Sequence, residues 1–276
     1  MDKGTVAGII VGFGGITAGL LLEGGKLSQI LQPTAALIVA GGTLGAVLLQ
    51  YPLSTVIKAV SGLRTVLFEP NSQASDEISR LVKLAQIARR DGIISLDKEL
   101  AQIPEPFMRR AMMLAIDGTE SNELRAIMQL EQDATAEAED ELPRVYESAG
   151  GFSPTIGIIG AVLGLIQVMQ HLDKIDEVGR GIAVAFVATI YGVGFANLVA
   201  LPIAGKLRHR LRFRQILREL TLEGVVSILE GINPRMLEAK LNGFVQQQSE
   251  QPRSRSTDQP ERRATQPSAL HADDTP

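Results

Sequence analysis

The sequence predicts an all-α membrane protein with four transmembrane helices and a helical cytoplasmic domain. Two observations lead to this fold class. Of the 276 residues, 45% are hydrophobic, and the mean hydropathy is +0.13, which is high for a soluble protein. The apolar residues are also segregated, because residues 4–57 and 151–205 are almost free of charge whereas the other segments are heavily charged. Such segregation is typical of membrane-spanning helices.

Four apolar runs have the length that a bilayer requires, since a hydrocarbon core of about 30 Å takes about 20 residues of helix. The predicted spans are about 4–22, 27–50, 151–171 and 181–204. None of them contains Asp, Glu, Lys or Arg, each of which costs roughly 2.5–3.5 kcal/mol at the bilayer centre. Domain 1–57 therefore holds spans one and two, and domain 148–205 holds spans three and four.

The basic residues predict the orientation. The two short links between paired spans hold only Lys26 and, in the second link, Lys174 and Arg180. The segment after span four is much more basic, with Lys206, Arg208, Arg210, Arg212, Arg214 and Arg218. By the positive-inside rule, both termini and the middle loop are cytoplasmic. This position next to a span explains the basic run better than a nucleic-acid patch does.

The middle segment, 58–147, is too long to be a connector and is predicted to be a helical domain. Its first helix has Ser75 as N-cap and ends at Gly92, its second covers 106–116, and its third runs from about 121 to 139. The third helix is acidic in its later part, which we interpret as a solvated face rather than a cation site. Residues 206–245 form a basic helical segment, and the polar composition of 246–276 predicts a disordered tail.

Signatures of catalysis and of cofactor binding are missing from the sequence. The chain has no cysteine, and its three histidines, at 171, 209 and 271, lack metal-ligand spacing. The run 24–28 (GGKLS) lacks the spacing of a phosphate-binding loop. We therefore expect neither an enzyme nor a bound cofactor.

Small residues recur at intervals of three and four within spans one, two and three. They are Gly8, Gly12, Gly15 and Gly19, then Gly41, Gly42 and Gly45, then Gly157, Gly160 and Gly164. Such faces allow helices to approach closely. At least half of these contacts are expected within one chain, and the density of glycine also favours packing between subunits.

Three segments resemble the MotA/PomA family of flagellar motor stator A-subunits, which is related to the ExbB/TolQ proton channels. Residues 150–166 (GGFSPTIGIIGAVLGLI) are similar to the family's third span, and 181–198 (GIAVAFVATIYGVGFANL) with 201–204 (LPIA) are similar to its fourth. Residues 88–97 (ARRDGIISLD) resemble its rotor-facing segment. The resemblance covers about 1–245 and implies a homopentamer of this subunit around a dimer of a single-span, MotB-like partner in the bacterial inner membrane.

The resemblance also implies roles for individual residues. Thr155 and Thr189 match the threonines of the ion path, with Ala188 where sodium-driven members carry a second hydroxyl, which favours protons. Pro154 and Pro202 match the two prolines that couple ion flow to movement. The expected contacts with a FliG-like rotor protein are Arg89, Arg90, Asp97 and Glu99. Asp97 stands where many members have Glu, so its reach is shorter.

The composition of the spans independently supports the need for a partner subunit. A device that couples proton flow to work needs a group that binds and releases the ion within the membrane. Because the four spans contain no carboxylate, a partner helix has to supply it, and the family resemblance implies that this group is an intramembrane Asp of the MotB-like partner. Two other hypotheses are a relative of ExbB/TolQ that energises outer-membrane processes, which has three spans, and a small-molecule transporter, which usually contains inverted repeats.

Overall fold

The structure is a computed structural model that describes residues 3–68 and 74–250. Within these ranges the chain is helical and contains no strand. In chain order the helices are α1 (Lys3–Leu22), α2 (Leu27–Ile30), α3 (Pro33–Gln50), α4 (Leu53–Phe68), α5 (Ala74–Asp91), a 3-10 turn (Ile93–Leu96), α6 (Asp97–Leu100), α7 (Pro106–Ile116), α8 (Ser121–Gln170), α9 (Ile175–Phe195), a π-helical segment (Ala196–Ala200), α10 (Leu201–Leu229) and α11 (Pro234–Glu250). Four of them are long and apolar enough to cross a membrane, which confirms the predicted fold class.

The second span begins later than predicted. Residues 27–30 form the separate short helix α2, and α3 starts at Pro33, which occupies the first helical turn. Proline is favoured there because its missing amide proton has no partner in the first turn of a helix. At the other end, α3 stops at Gln50, before Tyr51 and Pro52, and the chain continues as α4.

The third predicted cytoplasmic helix and the third span form one helix, α8, of 50 residues. At 1.5 Å per residue it is about 75 Å long. It contains Pro143 and Pro154, and each proline removes only one backbone hydrogen bond. The expectation of two separate helices was therefore wrong, and α8 connects the membrane directly to the cytoplasmic domain.

The fourth span also continues into the cytoplasm, through the π-helical segment and then α10. Pro202 lies just after this segment and has no amide proton to give to the carbonyl of Leu198. Such π turns are a common way to absorb an interruption of the helical hydrogen bonds. The basic helical segment predicted over 206–245 is thus divided between two helices: its first part belongs to α10, which starts at the membrane, and its last part belongs to α11.

The cytoplasmic helices α5, α7, α10 and α11 enclose a core with the first part of α8. Its largest fully buried side chains are Leu81, Leu96, Met108, Met112, Leu124, Met128, Leu220, Val225, Val226, Leu237 and Leu241. Gly92 (φ +84°) and Gly118 (φ +85°) lie just beyond the ends of α5 and α7, in a conformation that glycine adopts without strain. Ser75 lies inside α5 rather than at its N-cap, because the helix already includes Ala74.

The predicted disordered tail begins too early. Helix α11 extends to Glu250, so residues 246–250 are helical. The rest of that prediction, 251–276, lies outside the described residues.

Candidate functional site

Helices α8 and α9 are antiparallel neighbours that meet along glycine and alanine residues. A Cβ atom at Gly157 would lie 2.9 Å from the carbonyl oxygen of Ala188, and one at Gly164 would lie 2.8 Å from that of Gly181. A Cβ at Gly192 would lie 2.5 Å from the carbonyl oxygen of Ser153. These distances leave no room for a side chain, so the two backbones are in direct contact. We call this contact the α8–α9 seam.

A serine hydroxyl crosses the α8–α9 seam. Ser153, which is completely buried, donates a hydrogen bond of 2.9 Å from its Oγ to the carbonyl oxygen of Gly192. Ser153 was not among the predicted site residues. Its spacing from the glycines could have identified it, because Ser153 precedes Gly157 by four residues and therefore lies on the same face of α8.

The glycines of α1 behave differently from those of the seam. A Cβ at Gly8, Gly15 or Gly19 would meet no atom within 4 Å, and one at Gly12 would only touch Leu198, at 3.4 Å. The small residues of span three therefore serve packing within the chain, as expected for part of them. Those of α1 leave a surface open to lipid or to another protein.

The two threonines predicted to line the ion path lie at similar depth. The Cα of Thr189 lies 3.4 Å from the position that a Cβ at Gly157 would take. Gly157 follows Thr155 by only two residues on α8. In an antiparallel pair this places Thr155 and Thr189 within about one helical turn, roughly 5 Å, along the helix axes. Thr155 is exposed on α8, and Thr189 is half-buried at the edge of the seam.

Both hydroxyls donate to their own helices. Thr155 Oγ1 donates to the carbonyl oxygen of Phe152 at 2.7 Å, and Thr189 Oγ1 donates to that of Ala185 at 3.2 Å. A hydroxyl that donates in this way keeps its oxygen lone pairs available as acceptors. Each threonine can therefore accept a hydrogen bond from a hydrated ion or a protonated acid that passes along its helix.

Ala188 points away from the surface that Thr155 occupies. It is completely buried, and its Cβ lies 2.8 Å from the position that a Cβ at Gly160 would take. It belongs to a small cluster with Ala35, Val39 and Val187, in which α3 packs against α9. A larger residue at position 188 would press on the seam.

The two prolines lie at the same end of the α8–α9 seam. Pro154 leaves the carbonyl of Gly150 without its usual helical donor. A Cβ at Gly150 would lie 2.8 Å from Leu201 Cδ2, next to Pro202. Both interruptions of helical hydrogen bonding therefore fall where α8 and α10 leave the apolar region, which is the place where bending is easiest.

The predicted rotor contacts lie together at one corner of the cytoplasmic domain, which we call the tip (residues 89–99). Arg89 and Arg90 end α5, the chain reverses at Gly92, and the acidic residues Asp97 and Glu99 follow on α6. Arg89 and Asp97 are exposed and have no ion pair within the described part of the chain.

Arg90 differs from Arg89 because it has an acidic neighbour. Its guanidinium donates to Asp91, with Nη2 2.8 Å from Oδ2. This hydrogen bond raises the pKa of Arg90 and lowers the pKa of Asp91. This ion pair was not predicted from the sequence. Arg89, like Lys98, is a cation of the tip without an ion-pair partner among the described residues.

The acidic face predicted on α8 is not simply solvated. Glu139 accepts hydrogen bonds from Arg214 at 3.3 Å and from Arg218 at 3.1 Å, and Glu147 pairs with Arg208 at 2.7 Å. The acidic and basic helices are thus joined by ion pairs below the membrane. Among the described residues, no group of acidic or histidine side chains is arranged to hold a metal ion.

Comparison with known proteins places this arrangement in a family. Residues 99–219 match the MotA/TolQ/ExbB proton channel family, and residues 6–92 match the family described as motility protein A N-terminal. Motility protein A of Bacillus subtilis (strain 168) is 36% identical over 243 residues, which cover 87% of this chain and 90% of that protein.

Two solved structures share the fold. The C. jejuni MotAB structure superimposes with a TM-score of 0.84 at 30% identity, covering 88% of this chain and 96% of the solved chain. The flagellar MotAB stator complex from Bacillus subtilis gives 0.81 at 34% identity, with coverages of 90% and 98%.

Proposed function

The chain belongs to the motility protein A family, and from this membership we propose that it is the proton-driven A-subunit of a flagellar stator. In this role it spans the inner membrane four times, surrounds a single-span, MotB-like partner as an oligomer, and pushes on the rotor through its cytoplasmic tip. A relative of ExbB/TolQ is not favoured, because residues 6–92 match the motility protein A N-terminal family.

The observation that carries the proposal is the absence of charge from the four apolar runs of the sequence. A proton path through the membrane needs a titratable group, and such groups are rare and functional where they occur. Within its four apolar runs, this chain offers the hydroxyls of Thr155 and Thr189, which lie at a similar depth, but no carboxylate. The partner's intramembrane acid completes the site, and the threonine oxygens accept hydrogen bonds from it or from the passing ion.

The continuous helices provide the connection to the rotor. Helices α8 and α10 extend from the membrane into the cytoplasmic core, where Leu124 and Met128 of α8 pack beside Leu220 of α10. A displacement at Pro154 or Pro202 is therefore carried by two stiff helices to the core that holds the tip. One elementary charge that crosses 100 mV releases about 2.3 kcal/mol, so the rotor turns in many small steps.

The driving ion is tested by swimming speed during separate collapse of the proton and sodium gradients. We expect swimming to stop when the proton gradient is collapsed and to continue when the sodium gradient is collapsed. The opposite result would show that sodium drives this stator despite Ala188.

The role of Thr189 is tested by Thr189→Val, with Thr17→Val as its control. Thr17 also donates to its own helix, at 2.7 Å to the carbonyl of Phe13, but lies on α1. We expect Thr189→Val to lower torque while the stator complex assembles normally, and Thr17→Val to leave torque unchanged. Normal torque in Thr189→Val removes this residue from the ion path.

The rotor contact is tested by Arg89→Glu, with Lys83→Glu as its control. Lys83 is an exposed cation on the same helix, α5, two turns before the tip. Arg89→Glu is expected to lower motility with the complex intact, and a compensating charge reversal on the rotor protein is expected to restore it. Full swimming of the Arg89→Glu strain would contradict this role.

The orientation is tested by cysteine labelling, since the natural chain has no cysteine. We expect Gln102→Cys, in the middle loop, to react only with reagents that enter the cytoplasm. Lys26→Cys, in the first link, is expected to react with an impermeant reagent from outside. The reverse pattern would invert the proposed topology.

A further inference from the structure

An exposed isoleucine lies in the turn between α5 and α6, within the charged tip. Ile94 is 75% exposed, whereas its neighbour Ile93 packs against the cytoplasmic core and Leu96 is completely buried in that core. A single exposed apolar side chain is ordinary on a protein surface. The position of Ile94 is less ordinary, because it lies between two stretches of opposite net charge. Arg89 and Arg90, with Asp91, precede the turn, and Asp97 and Glu99, with Lys98 between them, follow it.

The turn that carries Ile94 is held on both sides. Gly92 has φ +84°, and its carbonyl oxygen accepts hydrogen bonds from the backbone amide of Ser95 at 3.1 Å and from Ser95 Oγ at 2.6 Å. Leu96 fixes the other side of the turn in the core. The side chain of Ile94 is therefore presented in a defined place and loses little backbone freedom when a partner covers it.

Charged contacts alone explain little of a stable rotor contact. Exposed ion pairs contribute about 0–1 kcal/mol and are weakened further by salt. Arg90 is already paired with Asp91, which reduces the free charge of the tip. Burial of an apolar side chain does not depend on charge and is not screened by salt. The centre of a contact with a charged rim is also where such a side chain has the largest effect.

We propose that Ile94 is the apolar anchor of the rotor contact. It packs on an apolar side chain of the rotor protein that lies between an acidic and a basic group. The acidic group faces Arg89, and the basic group faces Asp97 and Glu99, so the order of charges fixes the direction of docking. This inference rests on the proposed function, because it assumes that the tip meets the rotor.

The experiment places a photo-crosslinking amino acid at position 89, 94 or 102 of the full chain in motile cells. Gln102 is the exposed control, just beyond α6. We expect position 94 to crosslink to the rotor protein, at an apolar residue flanked by opposite charges. A crosslink from 89 without one from 94, or a crosslink from 94 to another copy of this chain, overturns the inference and leaves the proposed rotor contact standing. If neither 89 nor 94 reaches the rotor protein, both fail.

Two substitutions give the energetic test. Ile94→Ser removes the apolar surface, whereas Ile94→Met keeps it. We expect Ile94→Ser to lower the number of tagged stator complexes at the motor about tenfold, the factor that corresponds to burial of such a side chain. Ile94→Met should remain near the parent, and both should reach normal levels in the membrane. Equal recruitment of Ile94→Ser and the parent would overturn the proposal.

Discussion

The membrane half and the cytoplasmic half of this protein are held together by different kinds of contact. In the membrane, α8 and α9 touch through backbone atoms at Gly157 and Gly192. In the cytoplasm, the helices meet through large side chains such as Met112 and Leu124. Lipid tails are as apolar as leucine, so burial of apolar side chains gains little in a membrane and close packing has to replace it. In water the gain comes from burial itself.

This difference predicts opposite sensitivities. The α8–α9 seam should fail when a side chain is enlarged, whereas the cytoplasmic core should fail when a side chain is truncated. The two halves share α8 and α10, so a loosened seam also disturbs the cytoplasmic domain. A loosened core leaves the spans in place, because each span is inserted by its own apolar sequence.

The largest effect is expected for Gly192→Ala in the seam. The added methyl group would lie 2.5 Å from the carbonyl oxygen of Ser153, and a backbone atom cannot move aside as a flexible side chain can. The cost should exceed the roughly 1–3 kcal/mol of ordinary overpacking. We expect little assembled stator complex in the membrane and no swimming.

The control for Gly192→Ala is Gly194→Ala on the same helix. A methyl group at Gly194 meets no atom within 4 Å, so this variant should assemble at the level of the parent. If Gly192→Ala assembles as well as Gly194→Ala does, the seam is not a backbone contact and the contrast between the two halves is lost.

A smaller effect on stator assembly is expected for Met112→Ala, because its damage is confined to the cytoplasmic domain. Met112 is completely buried, and truncation of such a residue costs about 2–5 kcal/mol. The next residue provides the control, because Met113 is 48% exposed and its truncation should cost within about 0.5 kcal/mol. Proteolysis of the purified complex at rising temperature measures the difference. Equal resistance of the two variants would mean that this core does not stabilise the domain.

The sequence predicted the membrane half well because its rules are simple. Absence of charge over about 20 residues is a strong constraint in lipid, and the glycine spacing on span three marks the face that meets α9. Gly92 and Gly118 likewise marked helix ends, because each adopts a positive φ there. Local chemistry was sufficient for these features.

Other features depend on contacts between distant segments. The sequence predicted a cytoplasmic helix over about 121–139 and a separate span over 151–171, yet both belong to one helix, α8, which packs against α10. Glu139 was assigned to a solvated face because its partners, Arg214 and Arg218, follow about 75 residues later. The bond from Ser153 to Gly192 spans 39 residues in the same way. Sequence spacing within one helix contains no information about such partners.

A modest effect is expected for Ser153→Ala, which removes this hydrogen bond without adding volume to the seam. Hydrogen bonds between membrane helices contribute about 0.6 kcal/mol on average and at most about 1.7 kcal/mol. The variant should therefore assemble, but when it is solubilised in micelles it should unfold at a lower concentration of denaturing detergent than the parent. Thr17→Ala serves as the control, because the hydroxyl of Thr17 bonds only within α1. No difference between the two variants would show that the seam depends on backbone contact alone.

The smallest effect concerns a carboxylate in the cytoplasmic half. Glu77 is buried, and this burial raises its pKa above the ordinary value of 4.5. The charge of Arg80 lowers the pKa, and the charges of Glu105 and Asp76 raise it, so the net direction is upward. A carboxyl group with a raised pKa adds most stability below pH 4.5 and loses that contribution as the pH rises through the folded-state pKa. Glu77→Gln, which stays neutral, should therefore stabilise the domain at pH 7 relative to the parent, and this advantage should vanish below pH 4.5. The exposed Glu238→Gln variant serves as the control when thermal unfolding is followed at both pH values. An advantage of Glu77→Gln that is the same at both would mean that packing, rather than ionisation, limits stability at this position.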